Sequence, residues 1–288
     1  MSESRTRVDL AGVPETLLWP LYCRAAESRR PDALISDPKS VAIADSIDYP
    51  FEEHFGRPHI ALALRAMCFD DQIRKFLATH PDGTVVALGD GLETQFWRVD
   101  NGRVRWLSVD LEETMQVRRK YLPDTDRLRN LSCSALDEAW MDEVDPAAGL
   151  FISVQGLLMY LEEAEAWGLI RKCAERFPGA WLMFDAMPAW LTRQTSGGSW
   201  LDVLMMRGRK ERTEDKYKLP PLRWGESVDR LRKRLFALHP AVAEVQDVGY
   251  PPGRGLTFRF LNPYMGSALP IRNLRPNNTL VRFAATDG

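Results

Sequence analysis

Gly89-Asp90-Gly91 and Asp110 are the residues whose types and spacing point most directly to chemistry. The glycines close a short apolar run, Thr84 to Leu88, where the absence of a Cβ lets the backbone approach a ligand. Asp110 closes the next apolar run, Val104 to Val109, 19 residues beyond Gly91. A βαβ nucleotide site wants an acid about 20 residues past its glycines, where a carboxylate can accept both hydroxyls of a ribose. The third glycine of a dinucleotide fingerprint is missing, because Thr94 stands three residues after Gly91. That glycine serves the close packing of helix on strand around a pyrophosphate. Its absence argues against NAD and for a nucleoside ligand without a pyrophosphate, of which S-adenosylmethionine is the usual one. A lone GxG after a strand is otherwise an ordinary tight turn, and Asp110 separates the two readings.

Other catalytic constellations are missing. His54, His59, His80 and His239 have no metal-ligand spacing, and no Ser-His-Asp set or paired carboxylates stand out. No metal is expected. Cys23, Cys68, Cys133 and Cys173 are scattered, which fits small buried side chains in a reducing, cytoplasmic setting better than a disulfide framework. A net charge of -2 and 27% charged residues leave no basic footprint for nucleic acid and no polybasic membrane patch. There is no apolar run of about 18 residues to span a bilayer. The N-terminal MSESRTRVDLAGVPE has no apolar core, so it is not read as a signal peptide.

The elements that must position the glycines and the acid follow from periodicity. Residues 14 to 36 and 58 to 79 carry apolar positions at three- and four-residue spacing and read as helices. From Thr84 onward, apolar runs alternate with helical segments. Strands are expected at Thr84–Leu88, Val104–Val109, Arg129–Cys133, Gly149–Val154 and Trp181–Asp185, with helices at 111–121 and 162–177. Wholly apolar strands bounded by glycine belong to parallel sheets covered on both faces. The predicted architecture is therefore α/β, a doubly wound and mostly parallel sheet. Residues 188–240 break the alternation and read as a helical insert or lid. Val242–Val248 and Thr279–Ala285 read as two closing strands, an antiparallel pair at a sheet edge. One domain over 1–288 is expected: a helical cap (1–80), a cofactor-binding core (81–187), the insert (188–240) and the closing strands (241–288).

VVALGDGLETQFWRV, then WLSVD, then FISVQGLLMYLEEAE resemble the leucine carboxyl methyltransferase family, in particular its bacterial branch of tetracenomycin-type polyketide carboxyl methyltransferases. RAAESRRPDALISDP and LRAMCFDDQIRKFL are similar to the N-terminal segments of the bacterial members. RWG at 223–225 matches more weakly, and the likeness spans about residues 15 to 260. It implies a class I, Rossmann-like methyltransferase fold with S-adenosylmethionine across the strand ends. Arg65 would meet the cofactor's methionine carboxylate, a contact its planar guanidinium can make through two parallel hydrogen bonds. Arg24 is a second candidate for that carboxylate. Gly89, Asp90 and Gly91 would form the loop under the cofactor, Asp110 would hold the ribose, and Ser134 and Ala135 would flank the adenine. The sequence departs from the family pattern at Gln155, where the motif has glutamate, and at Ser134 and Asp90, where it has aspartate and alanine. Glu93 replaces an aspartate. An amide oxygen at 155 still accepts a hydrogen bond but lacks the charge that roughly doubles its strength.

The activity implied is O-methylation of a small molecule, most simply at a carboxylate, which is ionised near neutral pH and needs no general base. Tyr160, Met187, Trp190 and Trp200 are candidates for the substrate wall, although such Met and aromatic stripes are more often plain core. The alternatives are a phenolic O-methyltransferase and a non-catalytic binding protein of the same fold. Small-molecule binding as a monomer or homodimer is expected, without nucleic acid or membrane partners.

Overall fold

The structure, a computed structural model, describes residues 15–194, 220–254 and 270–285. Four helices come first: α1 (Leu18–Ser28), α2 (Pro38–Ser46), α3 (Phe51–Phe55) and α4 (Ile60–Thr79). Then follow β1 (Thr84–Leu88), α5 (Gln95–Val99), β2 (Arg105–Asp110), α6 (Glu112–Tyr121), β3 (Leu128–Ser132) and α7 (Ala139–Asp142). β4 (Leu150–Val154), α8 (Glu163–Arg176), β5 (Trp181–Ala186), α9 (Ala189–Gln194), α10 (Val228–Leu238), β6 (Val242–Val248) and β7 (Asn277–Phe283) complete the order.

The strands form one sheet in the order β3-β2-β1-β4-β5-β7-β6. β1 to β5 run parallel, while β7 pairs antiparallel with both β5 and β6. The closing pair is therefore present, with β7 inserted next to β5 and β6 left at the edge. The order reverses between β2-β1 and β4, and the carboxyl ends of the strands at such a switch point form the crevice where doubly wound folds bind ligands. β1 and β4 are buried along their whole length, which explains their unbroken apolar composition.

Both faces of the sheet are covered. One carries α4, whose Phe69, Ile73, Phe76 and Leu77 pack on Val85, Ala87, Phe151, Met183 and Leu280. The other carries α8, whose Trp167, Ile170, Cys173 and Ala174 pack on Val86, Ile152, Leu182 and Phe184. The N-terminal helices make their own core, where Leu18, Leu21 and Ile43 meet Leu92 just past the glycines. The first helix is shorter than its periodicity predicts. It ends at Ser28, two residues before Arg30, and the Pro31 that follows disfavours helical backbone before it. Among the described residues, no helix is long and apolar enough to cross a membrane. α9 and α10 lie within the expected insert, and residues 195–219 fall outside the described residues.

Candidate functional site at the strand ends

The turn after β1 has the backbone that its glycines allow. Gly89 and Gly91 both take positive φ, +66° and +48°. Asp110 reaches back to this turn from the end of β2. Its Oδ2 accepts the Gly91 N–H at 2.8 Å and its Oδ1 accepts the Leu111 N–H at 2.8 Å. Burial pushes its carboxyl above the ordinary range, against the pull of those two N–H groups. A carboxylate offers about four acceptor positions, so these two bonds fix its orientation while leaving capacity for a sugar's hydroxyls. The Cys133 N–H donates to the Asp110 carbonyl at 3.0 Å, which brings the chain leading into Ser134 and Ala135 to the end of β2. The Ser134 hydroxyl itself accepts the Leu136 N–H at 3.1 Å, and the Ala135 carbonyl accepts the Trp140 indole N–H.

Asp90 does something other than its place between two glycines suggests. Its carboxylate turns into the interior, accepting from the Ser108 hydroxyl at 2.5 Å and pairing with Arg118 Nη2 at 2.8 Å. Burial pushes its carboxyl up to about 6 in spite of Arg118. The same Arg118, fully buried on α6, donates to the carbonyls of Gly91 (2.7 Å) and Glu93 (2.9 Å). Arg118 and Asp90 thus brace the turn from behind. Sequence reasoning missed Arg118 because Arg118-Arg119-Lys120 reads as a solvated basic patch. The available signal was its phase, since it falls on the buried stripe with Thr114, Met115 and Val117.

Arg24 also differs from its expected role. Its Nε, Nη1 and Nη2 are all taken by protein, on Asp37 (3.1 Å), Glu93 (2.7 Å) and the Leu92 carbonyl (3.0 Å). It supports the loop, with each of its three nitrogens engaged by the protein. Arg98 completes the cluster, forked on Asp70 and donating to Asp37 (2.9 Å) and Glu93 (2.7 Å). Burial alone would raise the carboxyls of Asp37 and Glu93. Arg24 and Arg98 outweigh it, holding Asp37 down to about 2 and Glu93 below the ordinary range.

At the ends of β4 and β5, Gln155 donates its Nε2–H to Glu93 Oε2 at 3.1 Å, while its Oε1 is buried without a partner. Arg65, from α4, donates Nη1–H to Asp185 Oδ2 at 3.0 Å, and its buried Nε has no partner. The other oxygen of Asp185 accepts the Gly156 N–H. A Cβ at Gly156 would stand 3.0 Å from Arg65 Nη1, so glycine there leaves the room the guanidinium occupies. Asp185 was not singled out from the sequence, although an acid ending the apolar run WLMF is the same signal that marked Asp110.

Tyr160, Met187 and Trp190 come together with Met159, Leu191 and Leu222 in one apolar cluster beside this pair. Burial pushes the Tyr160 hydroxyl above its ordinary range, and Arg65 and Asp185 are the charges it feels. Trp190 donates its indole N–H to the Leu274 carbonyl. Trp200 lies outside the described residues.

The donor set suits S-adenosylmethionine. A carboxylate at the end of β2 fits a ribose, and the orphaned buried oxygen of Gln155 fits an ammonium donor. The unpaired Arg65 nitrogen fits a carboxylate, and the left-handed turn at Gly89 and Gly91 keeps side chains off the backbone that a nucleoside approaches.

Comparisons with known proteins agree with this assignment. The sequence model described as leucine carboxyl methyltransferase matches residues 18–174. The tetracenomycin polyketide synthesis O-methyltransferase TcmP of Streptomyces glaucescens is 31% identical over 189 residues, spanning 65% of this chain and 70% of its own length. A protein of Parafrankia sp. (strain EAN1pec), named as a candidate S-adenosyl-L-methionine-dependent methyltransferase, is 30% identical over 258 residues, 80% of this chain and 75% of its own. A crystal structure of a candidate methyltransferase from Thermobifida fusca YX shares the fold. It superposes with a TM-score of 0.52 at 15% identity, over 95% of this chain and 99% of that one.

Proposed function

The chain belongs to the leucine carboxyl methyltransferase family and is an S-adenosylmethionine-dependent methyltransferase; on that premise we propose that it methylates a carboxylate oxygen of a small, largely apolar acid. The cofactor supplies a methyl group already activated by a sulfonium charge. In this reading Asp110 holds the ribose, Arg65 and Gln155 hold the amino-acid end, Gly89 and Gly91 give backbone access, and Ser134 and Ala135 lie against the adenine.

The observation that carries the carboxylate reading is the state of Asp185. It is the carboxylate beside the apolar cluster of Tyr160, Met187 and Trp190, and both its oxygens are engaged, by Arg65 and the Gly156 N–H. Arg65 and the Gly156 N–H hold it in place, so in this reading it orients Arg65 and does not serve as a general base. A phenol acceptor wants such a base near neutral pH, whereas a carboxylate with a pKa of about 4 is already ionised. The protein's work is then to align the acceptor and keep water out, which an apolar wall does. The rings of Tyr160 and Trp190 in that wall suit an aromatic acid, and the tetracenomycin relative acts in polyketide synthesis.

The test is methyl transfer from labelled S-adenosylmethionine to a panel of aromatic carboxylic acids and matched phenols. Base-labile label on the acids alone is expected. Base-stable label on the phenols alone would overturn the carboxylate assignment. Calorimetry with S-adenosylhomocysteine checks the cofactor site independently, and Asp110→Ala is expected to weaken binding about ten- to hundredfold through lost charge-assisted bonds.

A further inference from the structure

We propose that Glu93 is a positioning residue for cofactor capture, fixing the Gln155 amide so that Oε1 is the end left to accept a hydrogen bond from the cofactor's ammonium. The inference rests on the cofactor site assigned above and adds a residue that acts through another.

A glutamine amide is nearly symmetric in shape, and its partners decide which end faces which way. An ionised carboxylate only accepts, so the end of Gln155 at 3.1 Å from Glu93 Oε2 must be the NH2 group. The oxygen is thereby sent the other way, where it is buried and has no partner in the protein. A buried acceptor without a partner is costly, and one at the strand-end crevice is placed to be met by a ligand. Glu93 can play this part because it is itself immobilised. Arg24 Nη1 holds Oε2 at 2.7 Å, Arg98 Nη1 holds Oε1 at 2.7 Å, and the Thr94 N–H donates to Oε1 at 2.9 Å. Arg24 and Arg98 are tied in turn to Asp37 and Asp70.

The cluster also carries charge. Three buried carboxylates, Asp37, Asp70 and Glu93, are matched by three guanidiniums: the buried Arg24 and Arg98, and the half-exposed Arg74 at 4.0 Å from Asp70. A cationic donor arriving at Oε1 meets a neutral amide, with the Glu93 carboxylate next behind it. Gln155 thus presents an acceptor without placing a second carboxylate 3 Å from Glu93, which would set like charges against each other.

The test separates orientation from mere loop support. Two probes are titrated calorimetrically into the full chain: S-adenosylhomocysteine, which keeps the amino-acid end, and 5′-methylthioadenosine, which lacks it. Glu93→Gln and Gln155→Met are each expected to weaken S-adenosylhomocysteine about ten- to hundredfold. Neither should change 5′-methylthioadenosine affinity more than about twofold. In the Gln155→Met background, adding Glu93→Gln should cost nothing further, since Glu93 acts through the amide it orients. Equal weakening of both probes by Glu93→Gln, or additive losses in the double variant, would overturn the proposal. Should Glu93→Gln not fold, Gln155→Met decides alone, and unchanged S-adenosylhomocysteine affinity in it sinks the idea. If the unsubstituted protein binds neither probe, the cofactor reading itself has failed, a result distinct from any of these.

Discussion

Asp37 has no exposed surface, caps α2 through the Ser40 N–H at 3.0 Å, and faces the guanidiniums of Arg24 and Arg98. Removing one member of a buried ion cluster strands the others, at about 3–5 kcal/mol. Asp37→Asn is therefore expected to lower unfolding stability by that order at pH 7, as read from urea denaturation. The sign of its pH dependence follows from its depressed carboxyl, about 2 against an ordinary 3.8. The ionised form stabilises the fold above pH ~4, and ~2 kcal/mol of that is lost as pH falls from about 4 to about 2. The gap between the parent and Asp37→Asn should narrow across that window; a gap constant with pH would contradict the charge argument. Asn278 is the opposite case. It sits opposite Asp185 in the β5–β7 pairing, is fully buried, and has neither its amide oxygen nor its nitrogen satisfied. Replacing an unsatisfied buried amide with an apolar group of similar size removes the desolvation penalty. Asn278→Leu should accordingly raise stability by about 1–2 kcal/mol, some 2–8 °C in the thermal midpoint for a chain of this size. A lower midpoint would mean the amide has a partner in solution.

At the level of elements, the turn after β1 depends on a contact no local pattern encodes. A Cβ on Gly91 would stand 2.6 Å from Leu17 Cδ2, and the residue holds a φ of +48°. Leucine at 17 can shift, but left-handed backbone strain cannot be relieved by a neighbour. Gly91→Ala is expected to cost about 1–2 kcal/mol, and adding Leu17→Ala should not recover it; full recovery in the double variant would show that the clash, and not φ, dominates. Legibility divides along the same line. β1, β2, β4 and β5 could be read as largely apolar runs bounded at one end by glycine or an acid, because a strand covered on both faces needs a mostly apolar composition. Asp110 was legible as the acid closing the second run. The internal bonds of Arg24 and Asp90 were not legible, and Arg118 was missed, because side-chain direction in a buried cluster is set by distant partners. The Arg65–Asp185 pair joins residues 120 apart, and the bond from Arg24 to the Leu92 carbonyl spans 68. Periodicity has no access to such pairings, and each of these charged residues looks solvated until the fold buries it.

On the scale of the whole molecule, the N-terminal helices and the strand ends form one mechanical unit. Leu18 and Leu21 of α1 and Ile43 of α2 pack on Leu92, while Arg24 of α1 and Asp37 at the start of α2 enter the charge cluster that holds Glu93 and, through it, Gln155. Opening α1 and α2 away from the sheet would break that cluster, so an open form cannot present the same cofactor contacts. A ligand that binds only the closed form disfavours opening by RT ln(1 + [L]/Kd), about 2.7 kcal/mol at a hundredfold excess over Kd. The opposite edge has no such link. β6 contacts the sheet through β7 alone, carries a register shift between Val242 and Glu244, and displays Glu244 and Gln246 to solvent, as isolated edges display polar residues. Amide exchange under native conditions reports such sub-global openings separately from global unfolding. Saturation with S-adenosylhomocysteine should therefore slow exchange in residues 18–28, 37–46 and 89–95 by up to about a hundredfold, and leave β6 within about twofold of its unliganded rate. Protection confined to 89–95, with α1 and α2 unaffected, would mean that the helices sit on the site without being coupled to it.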